Sequence, residues 1–354
     1  MRIESLRGLF KANGIDSMLV TNAFNIYYLS GFTGSYAFML VTKTSAFLFT
    51  DFRYVEQAEN ETSDEIKIVK CASKYNNDEL SKLIKAENLC SVGFECEDVS
   101  YEQYVNLNRR LDFIKLVSTK GLVFRLRSIK DLNEISNIEK ACNLGDQAFD
   151  YICSIIRPGI AEKHISMEFD RFFLDICTKV SFTSIVASGA RGSLPHGVAS
   201  DKVIRKGDMV TLDFGCYFNR YSSDMTRTVV LGKASNEQRE IYNLVLKAQT
   251  EAINAVCENV LCREIDGIAR NIIKENGYGS NFGHGLGHGV CLEVHEMPTL
   301  SPSSEDNLKI GMVFSVEPGI YLPGCMGVRI EDLVAITPQG PKILTKSSRE
   351  LIQL

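Results

Sequence analysis

Residues 210–228 read VTLDFGCYFNRYSSDMTRT. Apolar and β-branched residues on either side of a polar centre predict two strands joined by a tight reversal. Asp213 falls on the first strand and Asp224 on the second. If the chain turns between Phe218 and Asn219, the two aspartates face each other with Cβ atoms about 4.5–5.5 Å apart. Carboxylates that close repel, and they do not both stay ionised in a dry site unless a cation lies between them. Taken alone, the stretch reads equally well as two polar residues on a solvated hairpin. The rest of the chain decides.

A second stretch of the same kind lies further on. MVFSVEPGIYL (312–322) and GVRIEDLVAIT (327–337) predict another hairpin. Centred on Gly324, it opposes Glu317 and Glu331. Both acids sit in apolar strands, where a charge is costly unless paired or bound to a cation. Between the hairpins lies FGHGLGHGVCLEVHE (282–296), with three of the chain's five histidines, His284, His288 and His295. Its glycines let the backbone approach a neighbour closely and count against a regular helix. A helical HExxH zinc site is therefore not expected. Imidazole beside carboxylate is a common ligand set. In SLPHGVAS (193–200), His196 lies between Pro195 and Gly197. It is either a substrate contact or an ordinary exposed loop histidine.

Together these segments supply Asp213, Asp224, Glu317, Glu331 and at least one histidine. Two divalent cations balance four carboxylates. Carboxylates bridging both ions would hold them about 3.5–4 Å apart and let them share and acidify a water. Open positions on the ions polarise a carbonyl, and nearby histidines can donate to the developing oxyanion. An oxygen-rich site with one imidazole suits Mn²⁺ and tolerates Co²⁺, Zn²⁺ or Fe²⁺.

A length of 354 residues predicts two domains. A hydrophobic content of 45% with 23% charged residues is that of a soluble globular chain. The net charge of −5 comes with no basic block, which argues against a nucleic-acid or anionic-membrane partner. No apolar run reaches the roughly 20 residues that span a bilayer. The opening MRIESLRGLFKANG lacks a signal peptide's apolar region, so a cytoplasmic protein is expected. Eleven scattered cysteines without a CxxC pair read as reduced thiols.

Residues 1–125 alternate helical and strand patterns, which predicts an α/β layered domain. Within it TDFRY (50–54) places Asp51, Arg53 and Tyr54 after a strand, either for binding or as a surface ion pair. Residues 125–131 form a polar joint, and Asp131 with Glu134 predicts a capping box. A long helix should end at Pro158-Gly159. A second, from about 161, carries the apolar stripe Ile165, Phe169, Phe172, Phe173 and Ile176. His164 lies beside that stripe and reads as structural or exposed. A strand over 182–187 and a helix pair over 236–257 and 262–276 complete the framework.

LDFG (212–215), DMT (224–226), HGLGHGVCLEVHE (284–296), VEPGIY (316–321) and GVRIED (327–332) resemble the signatures of the pita-bread metallopeptidases. That family includes methionine aminopeptidase, aminopeptidase P and prolidase. The segment with TDFRY is similar to the creatinase-type N-terminal domain of the last two. The resemblance implies an α+β pita-bread catalytic domain over 126–354 with an internal pseudo-twofold, preceded by the smaller α/β domain over 1–125. It implies Asp213, Asp224, His288, Glu317 and Glu331 as ligands of two divalent ions, with Asp224 and Glu331 bridging. His196, His284 and His295 would line the substrate groove, His295 near the scissile carbonyl. Glu317 would also shuttle a proton to the leaving proline nitrogen. Tyr321, Arg329 and Thr226 match supporting positions, and Arg329 could also meet a substrate carboxylate.

The implied reaction is hydrolysis of the bond between an N-terminal residue and proline, by a homodimer in which TDFRY could border the other subunit's site. Prolidase takes dipeptides and aminopeptidase P longer peptides; the compact length favours the former. Relatives without metal ligands serve as binding modules, but every ligand position here holds a competent residue. A simple methionine aminopeptidase would lack the N-terminal domain.

Overall fold

A computed structural model describes residues 2–72 and 78–354 and divides the chain into two units, Met1–Arg127 and Ser128–Leu354. The first runs α1 (Arg2–Gly8), β1 (Ser17–Val20), α2 (Ala23–Ser30), β2 (Ala37–Thr42), β3 (Ala46–Thr50), α3 (Val55–Glu61), β4 (Ile66–Lys70), α4 (Asp78–Ala86), β5 (Ser91–Glu95), α5 (Tyr101–Arg110), β6 (Lys115–Thr119) and α6 (Leu122–Ser128). Its strands form a mixed sheet in the order β4-β3-β2-β1-β5-β6. β2 and β3 are buried along their whole length, so they read as continuous apolar runs rather than alternating ones. Sequence periodicity misses α2, because AFNIYYLS is buried on most of its faces and has no clear polar stripe. Its start is set by Asn22, whose side chain accepts from the Phe24 and Asn25 amides. In TDFRY, Asp51 and Arg53 form an ion pair of 2.6 Å, and Phe52 is 74% exposed.

The second unit runs α7 (Leu132–Ile155), α8 (Glu162–Asp175), β7 (Ile185–Ser188), β8 (Met209–Phe214), β9 (Tyr217–Phe218), β10 (Tyr221–Ser222), β11 (Met225–Val230), α9 (Asn236–Asn254), α10 (Cys262–Glu275), β12 (Gly287–Gly289), β13 (Glu296–Leu300), β14 (Val313–Val316), β15 (Gly319–Leu322), β16 (Met326–Arg329), β17 (Asp332–Thr337) and β18 (Gly340–Ile343). Asp131 and Glu134 form the expected capping box on α7. A helix pair followed by a strand pair with a small hairpin nested in its turn occurs twice. The first copy is α7, α8 and the sheet β11-β8-β7, with β9-β10 nested. The second is α9, α10 and the sheet β13-β12-β14-β17-β18, with β15-β16 nested. This repeated order is the internal pseudo-twofold in backbone form.

Each half buries its own core. In the first, Phe214 at the end of β8 stacks on Phe169 of α8 at 4.2 Å and on Phe149 of α7 at 6.4 Å between ring centroids. Ile165, Phe169 and Phe173 of the predicted stripe are fully buried, whereas Ile176, just past the helix, is 37% exposed. His164 is exposed, 3.6 Å from Glu168.

The two hairpins differ in how well sequence fixes their register. β14 and β17 pair Val316 with Asp332, and β15 and β16 turn about Gly324 at φ 72°, so Glu317 and Glu331 leave opposed strand ends as expected. The aspartate hairpin is shifted. Asp213 pairs with Thr226, not Asp224, because the chain reverses at Asn219-Arg220 rather than between Phe218 and Asn219. Both turn residues have positive φ, 47° and 71°, the requirement of a two-residue hairpin turn whose twist matches its strands. Asp224 is thus a diagonal neighbour of Asp213, just before β11.

Phe169→Ala removes the ring on which Phe214 stacks and is expected to cost about 3–5 kcal/mol, read as a lower denaturant midpoint for the second unit. A cost below about 1 kcal/mol would contradict this packing.

Candidate metal centre

The strands that carry the acids converge on one pocket of about 350 Å³. Its wall includes Asp213, Asp224, Glu317 and Glu331, the histidines 196, 284, 288 and 295, and Tyr321 and Arg329. These are the ten residues that the sequence offered for metal, catalysis and substrate, and they line one pocket; Thr226 is not in its wall but bonds to Glu331. Phe182, Ile185 and Val294, with Pro195 beside His196, add an apolar side that no sequence motif marks. Only their closeness to the candidate loops could have signalled them.

The glycines of the histidine segment act at particular points. A Cβ at Gly287 would lie 1.9 Å from the Ser315 carbonyl oxygen, and one at Gly289 would lie 2.0 Å from that of Met297. Glycine thus lets β12 press between its neighbours, and His288 is carried into the pocket. The His288 amide donates to Ser315 Oγ (3.1 Å), which in turn donates to Glu317 Oε1 (3.1 Å). The Glu317 amide donates to Leu286 O (2.8 Å), tying β14 to the same segment. The two halves also meet directly: the Glu331 amide donates to Thr226 O (3.0 Å) and Thr226 Oγ1 donates to Glu331 Oε2 (2.7 Å).

Arg329 is the structural cation of the site. Buried, it donates from Nη2 to Asp213 Oδ2 (2.6 Å), from Nε to Thr226 Oγ1 (3.0 Å), and from Nη1 to Tyr321 OH (2.9 Å) and Pro195 O (3.1 Å). Its donors therefore serve protein acceptors. Tyr321 OH also meets His284 Nε2 at 2.9 Å. The His288 and His295 rings lie 4.3 Å apart, and His196 and His295 are exposed at the pocket rim.

Asp224, His288 and Glu331 each offer a ligand atom within 4.8 Å of the others. His288 Nε2 lies 3.2 Å from Glu317 Oε1 and 3.7 Å from Asp224 Oδ2. Asp224 Oδ1 and Glu331 Oε1 are buried and have no hydrogen-bond donor among the described residues. Such an atom is costly unless something positive approaches it. Burial pushes the Asp224 and Glu331 carboxyls well above the ordinary carboxylate range, and the neighbouring acids push the same way. Burial also raises Asp213, outweighing Arg329. Glu317 behaves oppositely: burial would raise it, but the His288 hydrogen bond and charge hold it at about 2. Burial disfavours the His288 imidazolium, yet Glu317 lifts it to about 9. Burial lowers His284 and His295, and for His295 the charge of His288 adds to the effect. Orphaned acid oxygens with an imidazole in reach are a donor set that fits divalent cations.

The duplicated framework and this carboxylate–imidazole pocket define a metallopeptidase. Residues 136–338 match metallopeptidase family M24, residues 2–129 match the creatinase/prolidase N-terminal domain, and the chain belongs to that family. The Xaa-Pro dipeptidase of Pyrococcus furiosus is 40% identical, with 99% of each chain covered. A solved Xaa-Pro dipeptidase from Bacillus anthracis is 44% identical, covering 100% of this chain and 99% of its own, with a TM-score of 0.96. A solved X-Pro aminopeptidase from Thermotoga maritima is 37% identical with 100% of both chains covered and a TM-score of 0.90.

Adding Mn²⁺ to chelator-treated protein should raise the unfolding temperature. At a hundred times Kd the added stability is about 2.7 kcal/mol. Glu331→Gln and Asp224→Asn should each abolish most of the shift without lowering the stability of the metal-free protein. An undiminished shift in either variant would place the ion elsewhere.

Proposed function

We propose that this metallo-exopeptidase hydrolyses the bond between an N-terminal residue and proline in dipeptides. The observation that carries the reading is the pocket's pair of buried, unpartnered carboxylate oxygens, on Asp224 and Glu331, beside His288. The dipeptidase form draws support from the relatives so described and from the pocket volume of about 350 Å³, at the small end for ligand sites.

We assign two divalent ions, Mn²⁺ by preference, to Asp213, Asp224, His288, Glu317 and Glu331. Ions bound there would supply Lewis acidity toward the carbonyl and acidify water toward neutral pH. The chain does the rest. Glu317 accepts a proton from the attacking water and returns it to the proline nitrogen as the C–N bond breaks. His295 and His196, at the rim, hold the scissile carbonyl oxygen as it gains charge. Arg329 keeps Asp213 in place through the 2.6 Å contact, and Tyr321 orients His284. The apolar wall of Phe182, Ile185 and Val294 receives the pyrrolidine ring.

Eleven scattered cysteines without a CxxC pair support a reducing, cytoplasmic setting. Among the described residues no helix is long and apolar enough to cross a membrane. A homodimer follows from the family resemblance and is checked by light scattering.

The Mn²⁺-loaded protein should release alanine from Ala-Pro faster than from Ala-Pro-Ala. Preference for the tripeptide would make it an aminopeptidase, the description carried by the Thermotoga maritima structure. Release from neither would sink the peptidase reading. His295→Ala should lower kcat about 10²–10³-fold if it holds the oxyanion, and an unchanged kcat would remove it from that role.

A further inference from the structure

Glu162 opens α8 outside the pocket and is completely buried. Its carboxylate is not orphaned. Oε1 accepts from the Ser188 amide (2.8 Å) and Ser188 Oγ (2.8 Å). Oε2 accepts from Arg191 Nε (2.9 Å), the Ser200 amide (3.1 Å) and Ser200 Oγ (2.7 Å). Ser188 ends β7, and Ser200 lies on the far side of His196. One carboxylate therefore gathers both ends of the loop that carries His196 to the pocket rim. Arg191 braces the same loop across its width, donating from Nη2 to Val198 O (2.5 Å). Bonds from N–H donors to an ionised oxygen are short and about twice as strong as neutral ones, so the loop's ends are held firmly.

The other half of the unit repeats the device. Asp266 on α10, 1% exposed, accepts the Leu286 amide (3.0 Å) and pairs with Arg270, which donates to Phe282 O (2.9 Å) and His284 O (2.7 Å). There too an acid on the second helix of the pair, joined to an arginine, fixes a histidine-bearing loop.

We propose that Glu162 is a positioning residue of the peptidase site: by stapling Ser188 to Ser200 it sets where His196 meets the substrate. This rests on the reading of His196 as a substrate contact. An error of about 1 Å in such a group can cost up to about 10²-fold in rate.

The test is a double-mutant cycle on the full-length, Mn²⁺-loaded protein, read as kcat/KM for Ala-Pro with metal content measured in each variant. Glu162→Gln keeps the shape but turns an amide group toward the Ser188 and Ser200 donors. It should lower kcat/KM about ten- to a hundredfold with metal content unchanged. In a His196→Ala background the same change should cost less than about threefold, because the group it positions is gone. Arg191→Lys, at a partly exposed site, keeps a positive charge beside Glu162 but loses the second arm of the brace to Val198 O, and should show the same non-additivity if Glu162→Gln does not fold. Equal losses in both backgrounds would overturn the positioning role alone. A His196→Ala protein with undiminished kcat/KM would overturn the substrate-contact reading, and the proposal with it.

Discussion

The repulsion among buried carboxylates is the constraint on which the second unit depends. Asp213, Asp224, Glu317 and Glu331 crowd one pocket, and Asp224 and Glu331 are almost wholly removed from water. Such an arrangement is unfavourable by several kcal/mol per charge unless opposite charge enters it. The chain supplies part of that charge itself. Arg329 neutralises Asp213, and His288 forms an ion pair with Glu317. Nothing among the described residues answers Asp224 Oδ1 and Glu331 Oε1. That deficit has the sign and place of divalent positive charge, and an ion bound there would also displace the His288 proton.

The fold around the pocket is what keeps the acids from drifting apart. They arise from two strand pairs in different halves of the unit, each anchored by its own apolar core. Thr226 joins the halves at the acids themselves, giving its hydroxyl to Glu331 and accepting from Arg329. Arg329 then extends the network to Tyr321 and to the carbonyl of Pro195, next to His196. Rigid elements thus carry the charged groups, while the exposed histidines at the rim sit on loops fixed at their bases. A site that must bring charge and substrate into register benefits from this division.

Much of this was legible in the sequence because the acids lie in apolar stretches, Asp213 within a strand and Asp224, Glu317 and Glu331 at strand ends, where they have no packing role. The turn at Gly324 was also readable, since glycine marks a positive φ. The aspartate turn was not: Arg220 adopts positive φ without being a residue that advertises it, so the expected register was off by two residues. Asp213 and Asp224 still line one pocket with His288, Glu317 and Glu331, because a two-residue shift keeps side chains on the same face of the sheet. The four hydrogen bonds from Arg329 and the apolar wall of Phe182, Ile185 and Val294 depend on tertiary neighbours far apart in the chain. In the first unit, α2 escaped because its buried faces leave no amphipathic pattern.

The central claim is that the carboxylate pocket is completed by two divalent cations. Anomalous diffraction from crystals grown with Mn²⁺ tests it most directly. The account predicts two anomalous peaks inside the pocket, about 3.5–4 Å apart as in other two-metal sites, each contacted by oxygens of Asp224 and Glu331. An empty pocket at saturating Mn²⁺, or peaks only outside it, would contradict the account.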